Sequence, residues 1–286
     1  MLRYVNASDV SKLLGKPYGV FWSKHEENIN IILGKRERYK PKPQTFELNA
    51  KTVEVIQALP KKEVKALIQI THTKEQLSKA YKEYTPEDGD PGFESCEETD
   101  SDDEDYVPQK EKMKEIVHKQ LVIETLNKVK KETVQAPTHV EYVAKTSAVL
   151  KQVSVPVLKT VLDHDFTMER GNVEEERIIE QYGIHKDNKF RSVEFKVDGQ
   201  KYKVGCRFDG VNVEIKTRKE SFKGVPLYEK VQIHFYMAAS GSKEWTLKEK
   251  YADEVRDHRV VFDEPFFEKM KTDLHESWEK LSLSTI

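Results

Sequence analysis

Two cysteines in 286 residues exclude a disulfide framework and any four-cysteine zinc or iron–sulfur site, and they fit a reducing compartment. Nowhere do ~18 apolar residues follow one another, and the opening MLRYVNASDV has no apolar core of the signal-peptide kind. A soluble intracellular protein is therefore expected. G-x-x-x-x-G-K-[ST], G-x-G-x-x-G and H-E-x-x-H are all missing, which leaves a P-loop NTPase, the usual dinucleotide enzyme and a zincin unsupported. The 9 histidines show no metal-ligand spacing, and Asp163-His164-Asp165 reads as a loop. Net charge is nearly absent too, at −2, but that balance is misleading. Residues 86 to 106, PEDGDPGFESCEETDSDDEDY, hold 11 acidic residues and no Lys or Arg; the rest of the chain keeps 39 acidic against all 48 basic residues, a net of +9. A basic body suits a polyanionic partner, although charge of this kind speaks to association and does not locate a site.

The length allows one large domain or two small ones. Asn6 and Asp9 form a capping pair for a short helix through Val10, Leu13 and Leu14, which Gly15 and Pro17 stop. VFWSK and NINIIL alternate enough for short strands or an irregular apolar segment. Val53, Ile56 and Leu59, then Val64, Leu67 and Ile68, mark two amphipathic helices divided by Pro60, and Thr73 with Gln76 opens a third through Tyr84. The acidic run 86 to 106 has too little apolar content to offset its ordering entropy and reads as a disordered loop. A long helix follows over 109 to 134. From about Phe166 the pattern becomes α/β: Gly171 precedes a helix NVEEERIIEQY closed by Gly183, and three strand-like segments follow, Phe190 to Phe195, Tyr202 to Phe208 and Asn212 to Thr217. Pro226 then opens a helix through Met237, Trp245 to Tyr251 and Val255 to Phe262 read as a hairpin, and a last helix from Asp263 or Glu264 carries Phe266, Met270, Leu274, Trp278 and Leu281 on one stripe.

The segment VGCRFDGVNVEIKTR, 204 to 218, carries the chemistry. Gly210-Val211 matches a two-residue type II′ turn, and the hairpin it would close puts Asp209, Glu214 and Lys216 on one face, with Val204, Cys206, Phe208, Val213 and Ile215 on the other. Phosphodiester hydrolysis builds charge on the attacking, non-bridging and leaving oxygens. Hard cations such as Mg²⁺ neutralise it and take oxygen ligands. Asp209 and Glu214 can supply such ligands, with the Ile215 carbonyl as a third, and Lys216 can hold or polarise the attacking water. Taken alone, the segment is also what an ordinary exposed hairpin looks like. Glu175 shares a helical stripe with Ile178, Ile179 and Tyr182, where a carboxylate is costly unless paired or bound to a cation, a helix-boundary position being the plain alternative. Gln232 lies in LYEKVQIHFYM, one turn from Tyr228, where facing solvent is the plain reading.

The ordered set Glu175, Asp209, Glu214, Lys216 and Gln232, with Tyr236 and Met237 after it, resembles the YqaJ-type viral recombinases, the lambda-type exonuclease family of the PD-(D/E)xK nucleases. YVNASDVSKLLG resembles that family's opening motif, with Ser8 as the matching serine. The resemblance implies an α/β restriction-endonuclease-like core, a central mixed β-sheet flanked by helices, built from residues 1–20 and 166–286. Residues 21–165 would be a mainly helical insertion containing the acidic loop 86–106. It further implies a Mg²⁺-dependent deoxyribonuclease, with Mn²⁺ as the alternative ion, that processes double-stranded DNA ends. Asp209, Glu214 and the Ile215 carbonyl would be metal ligands, Glu175 an additional acidic ligand, Lys216 the catalytic lysine and Gln232 a site-shaping residue. Ser8, Arg207, Arg218, Lys219, Lys223, Lys230 and Tyr228 would contact DNA. A single-strand annealing protein as partner and a homo-oligomer are further expectations of the family, as is a location in the cytoplasm or nucleus of a host cell if the source is viral.

Met1 stands where the family's motif places an arginine before the serine. With the large insertion, this keeps a structure-specific or nicking endonuclease open beside the exonuclease. A third reading, of another class, is a non-catalytic DNA- or protein-binding module in which the acidic loop recruits a basic partner or covers the basic groove.

Overall fold

The computed structural model describes residues 2–21, 24–34, 46–71, 109–187 and 189–284. The helix expected from Thr73 to Tyr84 and the acidic loop 86–106 lie outside them. The fold is mixed α/β, and the chain divides into two compact units, Met1–Pro43 with Gly171–Ile286, and Gln44–Arg170. The sequence reading had placed these divisions after residues 20 and 165. No helix among the described residues is long and apolar enough to cross a membrane.

The first unit opens with strand β1 (Leu2–Asn6), helix α1 (Ala7–Leu14), a 3₁₀ turn (Lys16–Tyr18) and α2 (His25–Ile32). The α2 segment is a correction: NINIIL alternates like a strand, yet only Ile31 of this helix is buried. A segment that buries so little has no sheet face to satisfy, and its backbone closes its hydrogen bonds internally. Asn6 sits at the N-cap of α1 and donates from Nδ2 to Asp9 at 3.3 Å.

The second unit is helical: α3 (Ala50–Gln57), α4 (Lys61–Thr71), α5 (Gln109–Val134), α6 (His139–Gln152) and the first part of α7 (Pro156–Gln181). Asn49 caps α3 by accepting from Thr52 N at 2.9 Å. The unit holds a buried ion pair between Lys130 and Asp165 at 2.9 Å, completed by Asn49 N on Asp165 and by the Glu47 carbonyl on Lys130. Asp165 is therefore a core helical residue, where the sequence had suggested a loop. Gly171 does not precede a helix either; it lies inside α7, because one glycine costs only ~1 kcal/mol in a helix interior and 26 residues of otherwise helical sequence carry it.

The α7 helix ends as expected at Gly183, whose φ of 60° is the left-handed conformation glycine tolerates. Ile184 N reaches back to Ile179 O at 2.9 Å and Gly183 N to Glu180 O at 3.3 Å, the two bonds of a Schellman closure.

The first unit then continues with β2 (Arg191–Val197), β3 (Gln200–Cys206), β4 (Val213–Arg218), α8 (Leu227–Ser240), β5 (Glu244–Tyr251), β6 (Glu254–Val261) and α9 (Glu264–Leu283). These strands form two three-stranded sheets, ordered β1-β3-β2 and β4-β5-β6. In each the first pair is parallel and the second antiparallel. The expected β3–β4 hairpin is thus corrected. The two strands lie in different sheets, and the isolated bridge Gly210–Val213 closes only the turn that leads into β4.

The main core gathers Val5, Val10, Leu13, Tyr202, Val204, Cys206, Phe208, Phe235, Met237, Trp245 and Leu247 with Met270, Leu274 and Trp278 of α9. On α8, Val231, Ile233, Phe235, Tyr236 and Met237 are all buried, so apolar residues cover most of its circumference, as a central helix requires. Val213 and Ile215 belong elsewhere. They pack with Ile178, Ile179, Ile184 and Val255 in a second cluster, so the single apolar face expected across both strands is divided between two.

Candidate functional site

Alternation along β4 places Glu214, Lys216 and Arg218 on one face and Val213, Ile215 and Thr217 on the other. Because β4 is an edge strand, its outward N–H groups need partners other than a neighbouring strand. Asp209 supplies one, its Oδ2 accepting from Ile215 N at 2.8 Å. In a strand the N–H and C=O of one residue point the same way, so the Ile215 carbonyl lies on the same open edge as Asp209. A side chain here takes the place that a hairpin partner would have had. The turn carrying Asp209 is tightly seated. Val211 N donates to His185 O at 3.0 Å, Asn212 has a φ of 57°, and a Cβ on Gly210 would stand 2.4 Å from Ile184 Cγ2.

Glu214 is 2% exposed. Its Oε1 accepts from Lys216 Nζ and, at 3.0 Å, from Gln232 Nε2, whereas the buried Oε2 has no hydrogen-bond partner. Burial pushes its pKa well above the usual carboxylate value, and the neighbouring Asp209 charge adds to that, with Lys216 offsetting part. Burial works against the charge on Lys216, but Glu214 and Asp209 outweigh it and raise the ammonium pKa above its ordinary range. Gln232 does not face solvent. Its Nε2 also donates to the Tyr236 hydroxyl at 2.5 Å, and Tyr236 packs edge-on against Phe208 with ring centroids 4.9 Å apart.

Glu175 joins this group through the field. Its pKa is raised to about 7, by burial first and by the Asp209 charge next, with Lys216 pulling in the other direction. Its neighbour Glu174 takes the deeper position, 2% exposed, and is paired with Lys250 and Arg177. A carboxylate with a raised folded pKa contributes stability that is present below its ordinary pKa and lost as pH rises through the folded one. Metal-free protein should therefore lose stability between pH 4.5 and about 7, the interval over which Glu175 is shifted. The loss should have a slope of up to ~1.4 kcal/mol per pH unit, and denaturant titrations of Glu175→Gln should show a flatter dependence over that interval. An unchanged slope would show that Glu175 does not share the field of Asp209 and Lys216.

The surrounding residues separate into two kinds. Ser8 is exposed on the first turn of α1, Lys219 and Lys223 are exposed, and Arg207 and Tyr228 are half-buried. Lys230 is turned to Asp263, at 3.7 Å, and lies over the Phe266 ring. Arg218, expected to reach a phosphate, is buried and committed. Its Nε donates to Glu249 at 2.6 Å and its two terminal nitrogens to Glu229 at 2.6 and 2.7 Å. Glu249 is 0% exposed and also accepts from His258 Nε2 at 2.9 Å and from the amides of Lys223 and Gly224 at 2.6 and 3.0 Å. Burial alone would raise its pKa, and these donors reverse the sign and lower it. Sequence reasoning missed this hub, although a signal was there. In the alternating run Trp245 to Tyr251, Glu249 falls in phase with buried Trp245 and Leu247, and a carboxylate in that phase needs partners.

Among the described residues no group of three or more His, Cys, Asp or Glu is arranged to hold a metal ion. Mg²⁺ does not require one, being commonly held by one or two carboxylates with waters and substrate oxygens. Asp209, the unpartnered Glu214 oxygen and the Ile215 carbonyl are oxygen donors of the hard kind and fit such an ion.

No protein-family model matches the sequence, and no curated protein matches it. A solved chain described as the crystal structure of SSO0001 is similar over 53% of this chain and 83% of its own, with 18% identity and a TM-score of 0.34. A likeness at that level bears on neither family nor activity.

Proposed function

We propose that this chain is a metal-dependent DNA nuclease with a PD-(D/E)xK core, acting as an exonuclease on double-stranded DNA ends. One observation carries the reading: a buried Glu214 with one oxygen lacking any hydrogen-bond partner, beside Asp209 and on the same strand face as Lys216. Holding two carboxylates together is unfavourable by itself, and a hard cation relieves it. Asp209, Glu214 and the Ile215 carbonyl would hold Mg²⁺, with Glu175 beside them. Such an ion neutralises charge building on a phosphate and lowers the pKa of a water it binds.

The residues of the chain define the rest. A lysine kept protonated by two carboxylates donates hydrogen bonds and takes no proton, so Lys216 orients a water or stabilises the anionic oxygens of the phosphate. Gln232 fixes the Glu214 oxygen that Lys216 shares, leaving the other available. Exposed Lys219 and Lys223, on the segment following β4, provide phosphate contacts that do not depend on sequence.

The test is incubation with Mg²⁺ and linear, nicked or covalently closed circular duplex DNA, with Asp209→Ala in parallel. Loss of linear DNA alone is expected. Cutting of closed circles would replace the exonuclease by an endonuclease of the same fold, and equal activity in Asp209→Ala would remove the site.

A further inference from the structure

Phe190 is 57% exposed. Isolated exposed apolar side chains are ordinary, but this one is seated. A Cβ added to Gly205 would lie 2.8 Å from Phe190 Cζ and 2.3 Å from the Tyr4 hydroxyl, so the ring rests against strand β3 where only glycine leaves room. Its backbone is braced from below. Asp187, buried, accepts from Lys189 N at 3.1 Å and from Arg191 Nη2 at 2.6 Å, one residue to either side of Phe190. A large apolar ring is thus held in place with one side covered and much of its surface in water.

Its position bears on the acidic group. The same connection between α7 and β2 that carries Phe190 is bonded to the Asp209 turn, through His185 O and Val211 N at 3.0 Å and through Ile184 against Gly210. Beyond the seat the chain leaves β3 at Cys206 and runs through half-buried Arg207 to Asp209, four residues past Gly205. Exposed Lys189 flanks the ring, and Val211 at the tip of the turn is 50% exposed. An aromatic face with a lysine next to it in the chain, on a connection bonded to the turn of a phosphodiester-directed site, is the combination that binds a nucleic-acid strand by stacking and charge together.

We propose that Phe190 is a stacking platform for an unpaired or terminal base of the DNA strand beside the acidic site; the proposal rests on the nuclease reading above and deepens it. Only a base with a free face can lie on the ring. A base inside an intact duplex has none, so the platform selects strand ends and single-stranded overhangs.

The experiment measures binding in EDTA by fluorescence anisotropy, so that no cleavage is needed. Duplexes with a short overhang carry one abasic residue, stepped along the overhang and the last pairs. In the wild type one position should weaken binding by roughly 5- to 150-fold, the range seen for loss of one base–aromatic stack. Phe190→Ala should bind intact DNA as weakly as the wild type binds that abasic DNA and should show no further loss at that position. Phe190→Trp, with a stacking face retained, should restore the positional effect and control for folding. If Phe190→Ala matches the wild type on intact DNA, or if its loss adds to the abasic loss at every position, the platform is refuted and the ring is only packing. If the wild-type protein cleaves DNA but shows no position-dependent abasic loss, the platform alone falls. If it binds no DNA at all, the nuclease reading falls with it.

Discussion

Lys216→Met should reduce Mg²⁺-dependent DNA hydrolysis by at least ~10²- to 10³-fold, the effect of removing one preorganised donor to developing charge. Methionine keeps an unbranched stem of similar length and removes only the ammonium, so the apolar contacts of β4 survive. The ammonium has two duties: it donates to Glu214 Oε1, and it is the group whose charge offsets Glu214 and Asp209. Its loss should also appear in stability, with a defined sign. Glu214 already has a raised folded pKa, and without Lys216 that pKa rises further, so the stability the carboxyl contributes in acid is lost as pH increases. In metal-free buffer the variant should match the wild type in acid and fall below it as pH rises through the folded pKa of Glu214, which thermal unfolding across a pH series measures. Wild-type cleavage rates in the variant would show that the reacting centre lies elsewhere. A stability deficit independent of pH would show that Lys216 acts through packing.

Arg218→Met should destabilise the fold by ~3 to 5 kcal/mol, the cost of leaving buried charges without their partner. Here one guanidinium serves two carboxylates, Glu229 at 3% exposure and Glu249 at 0%. Glu249 retains His258 and two backbone amides in the variant, whereas both ionic hydrogen bonds to the Glu229 carboxylate come from Arg218. Glu229 should therefore account for most of the loss, and adding Glu229→Gln to Arg218→Met should recover part of it by removing the stranded charge. Urea titration of the single and double variants gives both numbers. The structural consequence reaches the site, since Glu229 lies one turn before Gln232 on α8 and Arg218 lies two residues after Lys216 on β4. A variant of undiminished stability that binds DNA weakly would return Arg218 to the phosphate-contact role the sequence suggested.

Much of the architecture around the site was legible because it is written in local periodicity. The helix expected over 109 to 134 is α5, Gln109–Val134. Met270, Leu274 and Trp278 are the buried stripe of α9, with Phe267 joining them and Phe266 and Leu281 partly buried at its margin. The Trp245 to Phe262 hairpin pairs as β5 and β6. Each of these depends on which residues recur at 3.6 or 2, a property that survives any arrangement of neighbours.

What failed depended on partners far along the chain. The strand β1 was missed because LRYVN is too short to show a period, and it forms by lying parallel to β3 almost 200 residues later, Leu2 opposite Lys201. The hairpin between β3 and β4 was expected because Gly210-Val211 fits such a turn; β4 instead takes β5 as its neighbour, and the Asp209 carboxylate covers its other edge. In the run Val173-Glu174-Glu175-Glu176 the sequence cannot say which carboxylate is deepest. Lys250, 76 positions away, makes it Glu174.

Sequence alone determined that Asp209, Glu214 and Lys216 stand at intervals that allow one strand and one turn to gather them, and that Glu175 sits where a charge is costly. Only the tertiary structure decided that one Glu214 oxygen is left without a donor, that Gln232 fixes the other, and that Arg218 is consumed by two buried glutamates. The physical reason is that spacing fixes the direction in which a side chain leaves the backbone, whereas burial and hydrogen-bond satisfaction depend on what the rest of the chain places around it.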